Sequence, residues 1–203
     1  MDPDSPAASR PAARRLFVGA FLHAAGAREI HDAVGGLLAG AGFRFVPPAE
    51  IHLTLAFLGE RDPSLVPGLQ EAIGPAVGGL AGPRLRIRHT GSFPEKGAAR
   101  VLWLGVEEDA GTEGRLEALA RSVRDAVARC GVGLEAEKRF QAHLTVARSS
   151  RHRRSLPPED FRRLRLDVRW LPEMIRLVKS RPGQPGESRY PSRADFALSP
   201  DPA

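Results

Sequence analysis

The chain has 203 residues, 42% of them hydrophobic and 27% charged, with a formal net charge of +6. That size supports one domain, or two small and closely packed lobes, around a sizeable core. No apolar run approaches the ~20 residues that cross a bilayer, and the single cysteine, Cys130, excludes an internal disulfide and fits a reducing compartment.

Residues 1–13 are mostly Pro, Ala and Ser with no hydrophobic segment, which reads as a disordered tail rather than a signal peptide. Residues 15–22 (RLFVGAFL) read as a strand. Residues 26–40 follow with Ile30, Val34, Leu37 and Leu38 at helical spacing, weakened by Gly35 and Gly36. Residues 43–46 are extended, Pro47 and Pro48 punctuate, and residues 51–58 alternate as a strand. Asp62 and Pro63 look like an N-cap with proline at the first helical position, opening a helix through Leu65, Leu69 and Ile73. Pro67 and Pro75 blur its ends. The order then recurs. Residues 100–106 (RVLWLGV) read as a strand, and residues 112–130 form the best helix, with Leu116, Leu119, Ala120, Val123 and Val127 on one face. Gly131 is placed to end it. Residues 140–148 make another strand. A short helix near 158–164 follows, then strands near 166–179 and 190–198, parted by a Gly/Pro-rich turn at 181–186. Strand, helix, strand over 15–54 and again over 100–145 is the pattern of an internal duplication.

The repeated strand carries the chemistry. His52-Leu53-Thr54-Leu55 and His143-Leu144-Thr145-Val146 are two copies of one pattern, of which only roughly 0.1 copies are expected by chance in a chain with six histidines. Residues i and i+2 of a strand share a face, so each histidine stands beside a threonine hydroxyl. One copy alone reads as a strand-edge histidine bonded locally; the pair does not. Two lobes related by a pseudo-twofold would set the histidines face to face across a groove. There a neutral imidazole takes a proton while a protonated one gives it, and the hydroxyls hold phosphate oxygens. The chain has no His-x-x-x-His pair, cysteine cluster, P-loop or Gly-x-Ser-x-Gly elbow. Acid–base chemistry on a phosphate ester, with no metal and no cofactor, is the expectation. The positive charge favours an acidic partner such as RNA, although 27 arginines against three lysines also suit a biased base composition. The densest basic run, residues 148–154, begins five residues after His143.

Other residues carry weaker expectations. His89 ends an alternating run, residues 84–89 (RLRIRH), and either faces the groove or lies on the strand surface. Phe45 suits core packing better than base stacking, whereas Tyr190 suits core or groove equally. His23 and His31 are expected in solvent, His152 in a loop, and Cys130 in packing.

The twin motifs resemble those of the 2H phosphoesterase superfamily. Other segments resemble its bacterial RNA 2′,3′-cyclic phosphodiesterase branch, historically called 2′-5′ RNA ligases. They are RLFVGAF (15–21), PAEIHLTLAFLGE (48–60), GSFP (91–94), RVLWLGV (100–106), RFQAHLTVAR (139–148) and RPGQPGESRY (181–190). The resemblance implies one α+β domain over residues 14–198, between tails at 1–13 and 199–203. Its architecture would be a bilobal pseudo-twofold duplication, with two antiparallel sheets flanked by helices around a central groove. The implied activity is hydrolysis of RNA 2′,3′-cyclic phosphate ends to 2′-phosphates. His52 would be the proton donor and His143 the acceptor, with Thr54 and Thr145 on the phosphate and Arg148 as a cationic clamp. The expected substrate is such an RNA end or a small cyclic nucleotide, handled by a cytoplasmic monomer away from membranes. Ala142 stands where a proline often precedes the second histidine. Two alternatives remain open: 2′-5′ RNA ligation by the same residues, and non-catalytic binding of RNA ends, which would not need both histidines.

Overall fold

The computed structural model describes residues 14–134, 140–149, 155–181 and 188–201. In chain order the elements are β1 (Arg14–Phe21), α1 (Ala24–Leu38), β2 (Phe43–Phe45), a 3₁₀ turn (Pro48–Glu50), β3 (His52–Arg61), α2 (Leu65–Val77), β4 (Leu85–Phe93), β5 (Val101–Glu108), α3 (Arg115–Arg129), β6 (His143–Ser149), α4 (Glu159–Arg163), β7 (Val168–Trp170), β8 (Met174–Ser180) and β9 (Ser192–Ala197). The periodicities that mark strand and helix thus hold nearly throughout. His23 caps α1 by accepting from the Gly26 amide at 3.1 Å, and Gly131, at φ 72°, follows the end of α3.

Three expectations change. The helix expected from Pro63 begins at Leu65, because Asp62 and Pro63 form a turn instead: the Asp62 carboxylate accepts from Ser64 N at 2.9 Å, and Leu65 N donates to Asp62 O. The single strand expected over 166–179 is two, β7 and β8, divided around Pro172, which has no amide hydrogen for a ladder. The third change is architectural. Two sheets were expected, but among the described residues the strands form one strongly curled antiparallel sheet in the order β7-β4-β5-β6-β3-β1-β8-β9, with β2 added on β6.

That order reads as a mirror about the β6–β3 junction, whose register pair is Leu53 with Leu144, the same position of each motif. Helices on one side cover the core. They exchange between halves: α1 packs on α4 and β7, while α3 packs on α2 and β3. Leu53, Leu55, Leu144 and Val146 point into this core and are at most 2% exposed. Burial of their side chains holds the motif strands in one register, and a one-residue slip would turn every histidine inward. Residues 199–201, expected as tail, are tied down in part, by Ser199 N to Leu80 O and by Asp201 to Arg115 and Arg84.

Candidate active site

The 3₁₀ turn that Pro47 and Pro48 start delivers the chain to His52. Its Nδ1 lies 2.6 Å from the Glu50 carbonyl, and His143 Nδ1 lies 2.7 Å from that of Gln141. A carbonyl only accepts, so both rings donate from Nδ1 and leave Nε2 as the free nitrogen of the neutral form. In each motif the accepting carbonyl is two residues upstream. Ala142 in place of a proline therefore leaves the second anchor like the first. The antiparallel sense fixed by Leu53 and Leu144 sets each histidine toward the other motif's threonine.

Both motifs then do something alternation does not foretell. Each carries one extra residue at its fourth position, Leu55 opposite the Val18–Gly19 step and Val146 opposite the Leu102–Trp103 step. The bulge reverses the facing of the residues after it. Leu55 and Ala56 are both buried, as are Val146 and Ala147, so the sixth residue turns outward on the histidine side. In the second motif that residue is Arg148, whose charge acts on both histidines. In the first it is Phe57, 54% exposed and paired with Phe17 on the groove face. The cation and the exposed aromatic ring occupy matching places.

Aromatic rings line both ends. Phe17 and Phe21 stack on His52 at centroid distances of 4.7 and 5.0 Å, and Tyr190 meets it edge-on at 5.0 Å. Arg176 lies over the Phe21 ring at 5.4 Å. Phe93 and Trp103 contact His143 at 5.2 and 5.9 Å. This apolar setting disfavours the imidazolium. Burial lowers the His52 pKa from 6.5 to about 4 against the opposing Glu50 carbonyl bond, with Arg148 and His143 adding to the depression. His143 is also lowered, first by burial, with the Gln141 carbonyl opposing and Arg148 reinforcing.

The remaining expectations resolve unevenly. Tyr190 joins the groove. Phe45 packs against the core beside His31, at 5.7 Å between rings. Cys130 also packs on the core. His23 is exposed, yet caps α1. His31 is half-exposed. His152, most of the basic run 148–154 and most of the turn 181–186 lie outside the described residues. Phe17, Phe21, Phe57, Phe93, Trp103 and Arg176 also border the two histidines or their groove face, and no motif marks them in the sequence. Each sits in an apolar or mixed strand run, and nothing but sheet register tells which face it takes.

A curled antiparallel sheet presenting twin His-x-Thr strands side by side is the arrangement of the 2H phosphoesterases. The 2′-5′ RNA ligase superfamily matches residues 23–184, and the chain belongs to that family. It is 33% identical over 168 residues to an RNA 2′,3′-cyclic phosphodiesterase of Thermus thermophilus, covering 82% of this chain and 81% of that protein. An RNA 2′,3′-cyclic phosphodiesterase of Archaeoglobus fulgidus is 31% identical over 137 residues, 68% of this chain and 73% of that one. A crystal structure of a Thermus thermophilus protein superposes with a TM-score of 0.76 at 30% identity, covering 92% of this chain and 99% of that one. Escherichia coli LigT complexed with 3′-AMP gives a TM-score of 0.71 at 25% identity, with the same coverage. No helix among the described residues is long and apolar enough to cross a membrane.

Proposed function

We propose that this protein hydrolyses RNA 2′,3′-cyclic phosphate ends to 2′-phosphates by acid–base catalysis between His52 and His143. The observation that carries the reading is the matched anchoring of two imidazoles through Nδ1, which leaves two free Nε2 atoms for one substrate. Water attacks the cyclic phosphorus as one imidazole accepts its proton. The P–O3′ bond breaks, and the other imidazole protonates the departing 3′ oxygen. Thr54, Thr145 and Arg148 hold the non-bridging oxygens, and Arg148 offsets the charge that gathers there. Phe57 and Tyr190 offer rings on which a base can stack. Relatives that are RNA 2′,3′-cyclic phosphodiesterases, and a neighbour complexed with 3′-AMP, support this substrate class.

The family resemblance assigns donation to His52 and acceptance to His143. Burial in the free protein disfavours the imidazolium at both positions, and at His52, lowered to about 4, it opposes the donor role. Donation from His52 therefore depends on the bound phosphate anion raising its pKa. Incubation with an oligonucleotide ending in 2′,3′-cyclic phosphate, in EDTA, tests the reading, with regiochemistry followed by phosphorus NMR. A 2′-phosphate product is expected. Joined strands in place of hydrolysis, or turnover only after a divalent ion is restored, would count against it.

A further inference from the structure

β4 carries two residues, Arg88 and His89, opposite the single Gly105 of β5, since Ile87 pairs with Val106 and Thr90 with Leu104. Leu85 and Ile87 enter the core, and strict alternation would send His89 after them. The bulge turns it to the groove face instead. His89 there fills the space of a missing side chain: a Cβ on Gly105 would collide with the His89 ring at Nε2. Gly105 is itself the register partner of His143. Opposed residues keep their Cβ atoms ~5 Å apart, so His89 Nε2 lies about one such spacing from His143. Trp103 bridges the two imidazoles, 5.9 Å from each. Glu107 Oε1 faces His89 Nδ1 at 3.3 Å, which leaves Nε2 for a ligand.

Past His89 the groove continues into a cleft of about 590 Å³ lined by Arg88, His89, Glu107, Arg165, Leu166 and Asp167. Its carboxylates are already occupied, Asp167 by the Arg86 guanidinium and Glu107 by His89. Among the described residues its cations hydrogen-bond no carboxylate, although the charge of Arg88 acts on Asp167. Arg88 is exposed and makes no hydrogen bond or ion pair through its side chain among the described residues. Arg165, also exposed, bonds only the carbonyls of Arg163 and Leu164 among the described residues, through Nη1. The Leu166 amide donates to Arg88 O at 3.5 Å and keeps this segment beside the bulge. From β6 to β4 is two strand spacings, about 9–10 Å, within the reach of one nucleotide.

We propose that this cleft binds the internucleotide phosphodiester next to the reacting cyclic phosphate, held by Arg88 and Arg165, with His89 Nε2 hydrogen-bonding the nucleotide between. The protein is then selective for oligonucleotide ends over mononucleotides. Guanidinium forks suit a phosphodiester, and the bulge exists where one is needed. The proposal rests on the cyclic phosphodiesterase reading above.

Three substrates test it: a 2′,3′-cyclic mononucleotide, a trinucleotide with the same end, and that trinucleotide with a neutral methylphosphonate at its last linkage. The wild type should favour the trinucleotide in kcat/KM by about 10- to 100-fold, the range of a charge-assisted contact. The methylphosphonate should remove most of that preference. Arg88→Ala and Arg165→Ala, both at exposed positions, should lower trinucleotide turnover while leaving the mononucleotide within about twofold. His89→Ala removes a contact to the terminal nucleotide that both substrates share, and should lower both to a similar degree. Equal kcat/KM for mononucleotide and trinucleotide in the wild type overturns the proposal alone, as do Arg88→Ala and Arg165→Ala variants that lose both substrates equally. Turnover of none of the substrates overturns the functional reading and this proposal with it.

Discussion

His52 and His143 are bonded alike but buried differently, and their pH behaviour should show it. His52 titrates near 6.5 when unfolded and at about 4 when folded. Between those values the unfolded chain holds more protons, so stability falls as pH drops through the window and is intact above 6.5. The shift corresponds to something on the order of 3 kcal/mol. Urea unfolding at pH 7.5 and 4.5 should therefore show a smaller acid loss for His52→Gln than for wild type; identical losses would refute a half-buried His52 held neutral by its surroundings. For the proposed reaction, the same depression puts the kcat/KM optimum, which reports the free protein, on the acid side of 6.5. The kcat profile should lie higher, because bound phosphate favours imidazolium. His52→Ala and His143→Ala should each lower kcat by at least about 10²-fold. Their double variant should lose much less than the product, as groups acting together do. Thr54→Val and Thr145→Val should each cost about 1–3 kcal/mol in kcat/KM, and Arg148→Ala at least as much. Steady-state kinetics on a cyclic-phosphate oligonucleotide reads all of these, and unchanged values in the last three would move the phosphate elsewhere.

At the level of elements, bulges aim the side chains that alternation would misplace. His52, Thr54, His143 and Thr145 are legible because a period of two puts each pair on one face. Arg148 was legible only through resemblance, since an ideal strand would put it opposite His143. Phe57 was hidden by the same device, and for His89, where the sequence left groove and strand surface open, a bulge decided the face. Glycines mark where the sheet is tightest. A Cβ on Gly19 would sit 2.6 Å from the Leu53 carbonyl oxygen, a backbone atom of the His52 strand that cannot move aside. Gly19→Ala should destabilise by about 1–3 kcal/mol, as overpacking does, and impair turnover with it. Gly35 in α1 meets nothing within 4 Å. Gly35→Ala should stabilise by about 0.5–1 kcal/mol and leave activity unchanged. Denaturant midpoints of the two variants should move in opposite directions.

For the molecule as a whole, the mirror order of strands keeps the two motifs adjacent, and the exchanged helices keep the halves from being independent. α1 of the first half rests on α4 and β7 of the second, while α3 of the second rests on α2 and β3 of the first. Neither half can bury its helices alone. Unfolding should thus be one transition, coincident by far-ultraviolet circular dichroism and by fluorescence of Trp103 and Trp170. Leu144, fully buried at the junction, should cost about 2–5 kcal/mol when replaced by alanine. Two separated transitions would contradict this coupling.

Local pattern alone determined most strands and helices, the doubled His-x-Thr motif and its threonine partners, because periodicity and composition act over a few residues. Tertiary structure decided the rest. A duplication in sequence does not say whether its copies build two sheets or one, since Leu53 and Leu144 meet across ninety intervening residues. Nor does a strand's sequence disclose its bulges, which depend on the strand beside it. For that reason the histidines could be read from the chain, whereas Phe57, Trp103 and the Arg88–His89 bulge that shape the groove around them required the assembled sheet.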